Sequence, residues 1–148
     1  MRAVVQRVLS ARVDVSGQTT GAIDAGLLAY VGVTHADSES DVLYLADKLI
    51  GLRVFTEGGK MTRTVEDIDG GMLIVSQFTL FGDVRRGRRP SFSEAAKPDL
   101  AETLYERLLS ELAGRSVKVA SGLFGADMAV HCVVDGPVTI QIDTKKLY

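Results

Sequence analysis

The sequence predicts an α+β fold in which many short, mostly antiparallel strands form a barrel-like sheet covered by two amphipathic helices. Three observations point there. Apolar residues recur at every second position in several segments, as in Val13 and Val15 or Val138, Ile140 and Ile142. Two segments repeat apolar residues at helical spacing instead. Finally, 148 residues suit one domain and leave little room for two, so the expectation is a single domain over 1–148. A chain of this length buries roughly 68–70% of its unfolded surface and needs no staples.

Along the chain, residues 2–8 and 11–15 read as short strands, with turns at Ser16-Gly17-Gln18 and Asp24-Ala25-Gly26. The apolar stretch 27–33 reads as a central strand buried on both faces. Ser38 can cap a helix, with Asp41 three residues on as a capping-box variant. Val42, Leu45, Ala46, Leu49 and Ile50 then build one stripe, closed by Gly51. A turn at Glu57-Gly58-Gly59-Lys60 and a strand over 72–76 follow. Pro98-Asp99 opens a second helix, whose stripe is Ala101, Leu104, Tyr105, Leu108 and Leu109 and whose stop is Gly114. Strands near 116–120, 128–134 and 138–142 complete the chain.

Composition narrows the function. The apolar share of 46% and charged share of 24% are those of a globular protein. The longest apolar run is too short to span a bilayer. The N-terminus lacks a secretory pattern, and the lone Cys132 cannot form an internal disulfide, so the cytoplasm is expected. A net charge of −2 argues against a wide nucleic-acid grip. Arg85, Arg86, Arg88 and Arg89 nevertheless crowd around Gly87. Such a loop is either a solvated surface or a contact for one end of an RNA.

The chemistry is marked by what is missing. Two histidines and one cysteine offer no metal spacing, so neither metal nor cofactor is expected. There is no Gly-x-Ser-x-Gly, and His131 sits inside a strand pattern, so a Ser-His-Asp hydrolase is poorly supported. Ser76-Gln77-Phe78-Thr79 follows an apolar strand and should lie at its end, as a site or as a plain bend with two satisfied hydroxyls. Asp135-Gly136-Pro137 reads by default as a hairpin turn, with a cis Gly-Pro bond as the sharper alternative. Gly122-Leu123-Phe124-Gly125-Ala126-Asp127-Met128 is either a pocket rim or a loop with a core anchor.

These stretches together resemble the D-aminoacyl-tRNA deacylases. The resemblance rests on Met1-Arg2-Ala3-Val4-Val5-Gln6-Arg7-Val8, Ser76-Gln77-Phe78-Thr79-Leu80, Arg89-Pro90-Ser91-Phe92, Phe124-Gly125-Ala126-Asp127-Met128 and Asp135-Gly136-Pro137-Val138-Thr139. It implies hydrolysis of the ester between a D-amino acid, or glycine mischarged onto alanine tRNA, and the terminal ribose of a tRNA. It also implies a homodimer in which Gly136-Pro137, in cis, enters the partner's pocket and excludes L side chains, with Arg7 bracing the motif. Gln77 and Phe78 would sit at the adenosine and the carbonyl. Ser76, Phe124 and Met128 would line the pocket, and the tRNA 2′-hydroxyl would take part in place of a triad. Thr79 is open between nucleophile and positioning residue, with positioning favoured because no base accompanies it. The four arginines would meet the acceptor-stem phosphates; neither DNA nor membrane is an expected partner. One departure is Val134, where many relatives carry an asparagine that steadies the Gly-Pro loop. Two rivals stand beside this reading: an RNA-binding module without turnover, and a Thr79-dependent esterase that needs no RNA.

Overall fold

The long first strand organises the architecture. In the computed structural model, which describes residues 1–147, β1 runs without a break over Arg2–Val15. Along one edge it pairs antiparallel with β3 (Gly26–Gly32) and then β2 (Gln18–Ile23). The register carries straight through from Val8↔Gly26 to Ala11↔Ile23, because Asp24 and Ala25 form only a bend. Along the other edge lies β8 (Ala129–Asp143), again antiparallel. The sequence reading split each of these long strands in two, and each is continuous. Leu9 and Ser10 are exposed, which broke the alternation in β1 but not its hydrogen bonding.

Beyond β3 the sheet turns parallel. β6 (Gly71–Ser76) pairs with β3, and β7 (Lys118–Ser121) with β6. The crossovers are supplied by α1 (Glu39–Gly51) and α2 (Pro98–Ala113), as parallel pairing requires. The sheet curls until β2 meets β7, giving the nearly closed barrel. A small hairpin of β4 (Phe55–Glu57) and β5 (Lys60–Arg63) stands outside it, around the expected Gly58-Gly59 turn.

Alternation sets two apolar layers. Leu27, Ala29, Met72 and Ile74 face the helices and pack with Val42, Leu45, Leu49, Tyr105 and Leu108. Leu28, Leu73 and Val75 face inward against Val8, Ala11 and Val13. β3 and β6 are thus buried on both faces, as the unbroken apolar run anticipated. Each fully buried large aliphatic contributes about 1.5–3 kcal/mol. At α1, the Asp41 carboxylate accepts the Ser38 backbone N–H at 2.9 Å, the reciprocal half of the expected capping box. Asp41 also accepts from Thr144 at 2.6 Å and Lys145 at 2.7 Å, which ties the C-terminal segment to the helix start. Among the described residues, no helix is long and apolar enough to cross a membrane.

Candidate active site

Because β3 and β6 are parallel, both end at the same rim of the sheet, the position where ligands of such sheets collect. A cleft of about 670 Å³ opens there, within the size range of small-molecule sites. Its floor is Val31, Gly32, Val75 and Ser76 at the two strand ends. Gly32 is needed: a Cβ there would stand 2.9 Å from the Gln77 carbonyl oxygen and 3.1 Å from the Phe81 ring.

After Ser76 the chain does not form an open loop. The Gln77 N–H still bonds Val31 O at 2.8 Å, and Phe78–Phe81 then wind into a 3-10 turn. Phe78 and Thr79 open that turn, so their N–H groups have no acceptor within it. Arg2 secures its far end by donating from Nη1 to Leu80 O at 2.8 Å, with its guanidinium 4.6 Å above the Phe81 ring. Phe78 remains 57% exposed and meets Phe92 edge to face, centroids 5.0 Å apart. Phe92 belongs to a strap over 91–96 that is pinned across the cleft. Thr34 Oγ1 donates to Glu94 O at 2.6 Å, and the Ala96 N–H bonds Val33 O at 2.9 Å. The opposite wall is the 124–128 loop, including Phe124, Asp127 and Met128. Among the described lining residues, Asp127 is the one charged side chain, and no histidine or cysteine is present.

Ser76, Gln77, Phe78, Phe124 and Met128 therefore line one cleft. Thr79 is not among the lining residues; it is exposed, and Gln77 Nε2 donates to its hydroxyl. The 122–128 stretch is both of its alternatives at once, since Phe124 walls the cleft and packs 5.7 Å from the Tyr105 ring. Sequence reasoning missed Phe92 and Tyr105 as cleft residues. Phe92 stood within a quoted motif, whereas Tyr105 read simply as part of a helix stripe. His131 lies outside the cleft, half exposed, with Nε2 3.0 Å from Asp14 Oδ2.

Arg7, Gly136 and Pro137 are elsewhere, on the β1–β8 seam. The default hairpin reading of Asp135-Gly136-Pro137 is corrected here: β8 passes through, and residues 135–138 bulge opposite Arg7 alone. The turn residues serve a bulge because both flanks of β8 pair with the same strand, β1. Gly136 has φ +119° and its bond to Pro137 is cis. Arg7 is 11% exposed at its side chain, with Nη1 donating to Val54 O at 2.5 Å and Nε 2.8 Å from Asp135 Oδ2. That N–H is not in line with the carboxylate, so the contact is an ion pair without a hydrogen bond. Arg7 thus contacts Asp135, the residue that follows Val134.

The four arginines cap a loop whose base is closed by paired backbone bonds between Asp83 and Ser91, 2.8 and 2.9 Å. Arg85 is already engaged: Nε and Nη2 donate to Asp83 Oδ1 and Oδ2 at 2.9 and 2.7 Å. Those bonds hold the Asp83 carboxyl down at about 2. Arg86, Arg88 and Arg89 are exposed.

The cleft thus combines aromatic walls with a few polar groups at the ends of two parallel strands, the make-up of a small-molecule site. The family model for D-Tyr-tRNA(Tyr) deacylase matches residues 4–143. A D-aminoacyl-tRNA deacylase of Thermotoga petrophila is 56% identical over 149 residues, with both chains fully covered. Another from Thermus aquaticus is 53% identical, covering 99% of this chain and 97% of its own. Among solved structures, a c-Myc DNA unwinding element binding protein matches with TM-score 0.91 at 38% identity, covering 97% and 98% of the two chains. A probable eukaryotic D-amino acid tRNA deacylase matches with TM-score 0.80 at 19% identity, covering 95% and 97%, a likeness of fold alone. The chain belongs to the D-aminoacyl-tRNA deacylase family of ester hydrolases.

Proposed function

We propose that this protein hydrolyses the ester joining a D-amino acid, or mischarged glycine, to the terminal ribose of tRNA, releasing free amino acid and reusable tRNA. The observation that carries this is the cleft at the β3 and β6 ends, which gathers Ser76, Gln77 and Phe78 with Phe124 and Met128. It offers no nucleophile–base pair among its described residues. An aminoacyl ester is activated, so alignment and oxyanion stabilisation suffice. The unpaired N–H groups that open the 3-10 turn at Phe78 would hold the ester carbonyl, with Gln77 at the adenosine. The neighbouring 2′-hydroxyl of the tRNA assists in place of a protein base. Thr79 positions Gln77, to which it is hydrogen-bonded.

Chirality would be read by a second copy of the chain. Gly136 and Pro137 are not among the residues that line their own cleft and sit on an exposed bulge of the edge strand β8. Val133 of that strand is 52% exposed and Leu9 of the adjoining β1 is 56% exposed, a strand edge and apolar surface of the kind a homodimer covers. Entering the partner's cleft, the Gly136-Pro137 backbone accepts from the substrate ammonium and blocks an L side chain, a rejection of the wrong hand. Glycine has nothing to clash and passes. Arg86, Arg88 and Arg89, beside the Phe92 wall, meet acceptor-stem phosphates, and Arg85 stiffens their loop. The protein would work in the cytoplasm, on RNA.

The test is release of labelled tyrosine from matched D- and L-tyrosyl-tRNA by catalytic amounts of protein. Rapid D-ester hydrolysis with the L-ester untouched supports chiral proofreading. Equal hydrolysis would leave a general esterase, and none would leave a binding module.

A further inference from the structure

The stripe of α2 reads as core, yet two of its residues, Ala101 and Tyr105, reach the cleft walls. Tyr105 is 1% exposed, and its hydroxyl donates to the Ile74 carbonyl oxygen at 2.9 Å. The same oxygen accepts the Gly122 N–H at 3.1 Å. Both of its lone pairs are therefore in use. Ile74 lies on β6, two residues before Ser76; Gly122 directly follows β7 and begins the segment that carries Phe124 and Met128. The β6–β7 register ends at Ile74↔Ser121. Past that pair the two strands diverge into opposite walls of the cleft. Tyr105 holds both sides of the divergence, one through its hydroxyl and one through its ring contact with Phe124.

We propose that Tyr105 is a positioning residue that sets the spacing between the Ser76–Phe78 wall and the Phe124–Met128 wall. This rests on the reading above, in which both walls hold parts of one aminoacylated tRNA end. Catalysis by alignment is sensitive to such spacing, because no covalent step or charged base compensates for a misplaced carbonyl. Burial pushes the Tyr105 phenol up, so the hydroxyl remains a donor throughout the range where the ester is stable. A merely packing role would need the ring and not the hydroxyl.

Tyr105→Phe separates the two roles, since it keeps the ring against Phe124 and removes the donor. With D-tyrosyl-tRNA we expect kcat to fall about tenfold and KM to stay within about twofold, the pattern of lost alignment rather than lost binding. In the free protein, the Gly122 amide should exchange with solvent about five- to tenfold faster than in wild type, with the β3 amides unchanged. Wild-type kcat and wild-type Gly122 exchange in the variant would overturn the inference and leave the substrate reading standing. A wild-type protein inert on the D-ester would overturn the substrate reading, and the inference with it. The wild-type control tells the two failures apart.

Discussion

Gly136→Ala probes the bulge that is proposed to read chirality. Gly136 holds φ at +119°, a region L-residues rarely enter. An added methyl would stand 2.9 Å from Val138 Cγ2, 3.0 Å from Arg7 Nη2 and 3.1 Å from the Val138 nitrogen. The two side-chain ends can give way, although Arg7 does so by loosening its hold on Asp135. The backbone nitrogen yields only if Pro137 moves. Backbone strain of this kind costs about 1–3 kcal/mol. We therefore expect the free energy of unfolding, measured in urea, to fall by about 1–3 kcal/mol. If the bulge relaxes to relieve that strain, Pro137 leaves the place proposed for it in the partner's cleft. The D-to-L ratio of kcat/KM should then fall at least about tenfold, the equivalent of about 1.4 kcal/mol of discrimination. Both esters are assayed on the same tRNA preparation. A variant within about 0.5 kcal/mol of wild type, with its D-to-L ratio intact, would refute both the strain and the chiral wall.

Three further outcomes are expected. Thr79→Ala should keep turnover within about threefold, since Thr79 is exposed, lies outside the cleft and has no base at its hydroxyl; loss beyond about a hundredfold with tRNA binding intact would restore it as nucleophile. In titrations of tRNA binding against salt, Arg86→Ala, Arg88→Ala and Arg89→Ala should each lower the log–log slope by about 1. Arg85→Ala should leave it nearly unchanged, because Asp83 already holds that guanidinium; an equal loss at all four would contradict this division. Asp41 supplies a pH test. Burial raises its carboxyl, but bonds from Lys145, Thr144 and Ser38 outweigh this and hold it well below 3.8. A lowered folded-state pKa gives stability that is present above the unfolded value and lost as pH falls below it. Asp41→Asn should thus destabilise the protein at neutral pH, and the gap to wild type should close as pH drops below 3.8. A gap constant across that range would show that the carboxylate charge is not what stabilises.

Local signals made much of the fold legible. Both helices follow from one apolar stripe each, with Ser38 and Asp41 at the start of α1 and Pro98 and Gly114 bounding α2. The buried strand β3 follows from an unbroken apolar run, and β6 from another. Longer-range features were hidden. β2 leaves Gln18, Thr19 and Thr20 exposed and sets Gly21 against Ser121, so nothing in its pattern marks it; pairing with β1 makes it a strand. The bulge at Asp135-Gly136-Pro137 uses the same residues as a hairpin turn, and only β1 lying along both flanks excludes the hairpin.

The site divides in the same way. The sequence by itself determined which residue types were available: hydroxyl, amide and aromatic groups in Ser76-Gln77-Phe78-Thr79, a Gly-Pro pair and a basic loop. Tertiary structure alone decided their grouping, because contacts across the sheet depend on strand order and register rather than on local propensity. It joined Ser76, Gln77 and Phe78 to Phe124 and Met128, left Thr79 exposed beside Gln77, set Gly136 and Pro137 on a separate edge, and spent Arg85 on Asp83. Tyr105 shows the limit most clearly. Its helical spacing fixed that it would be buried, but only the meeting of α2, β6 and the Gly122 segment gave its hydroxyl the Ile74 carbonyl.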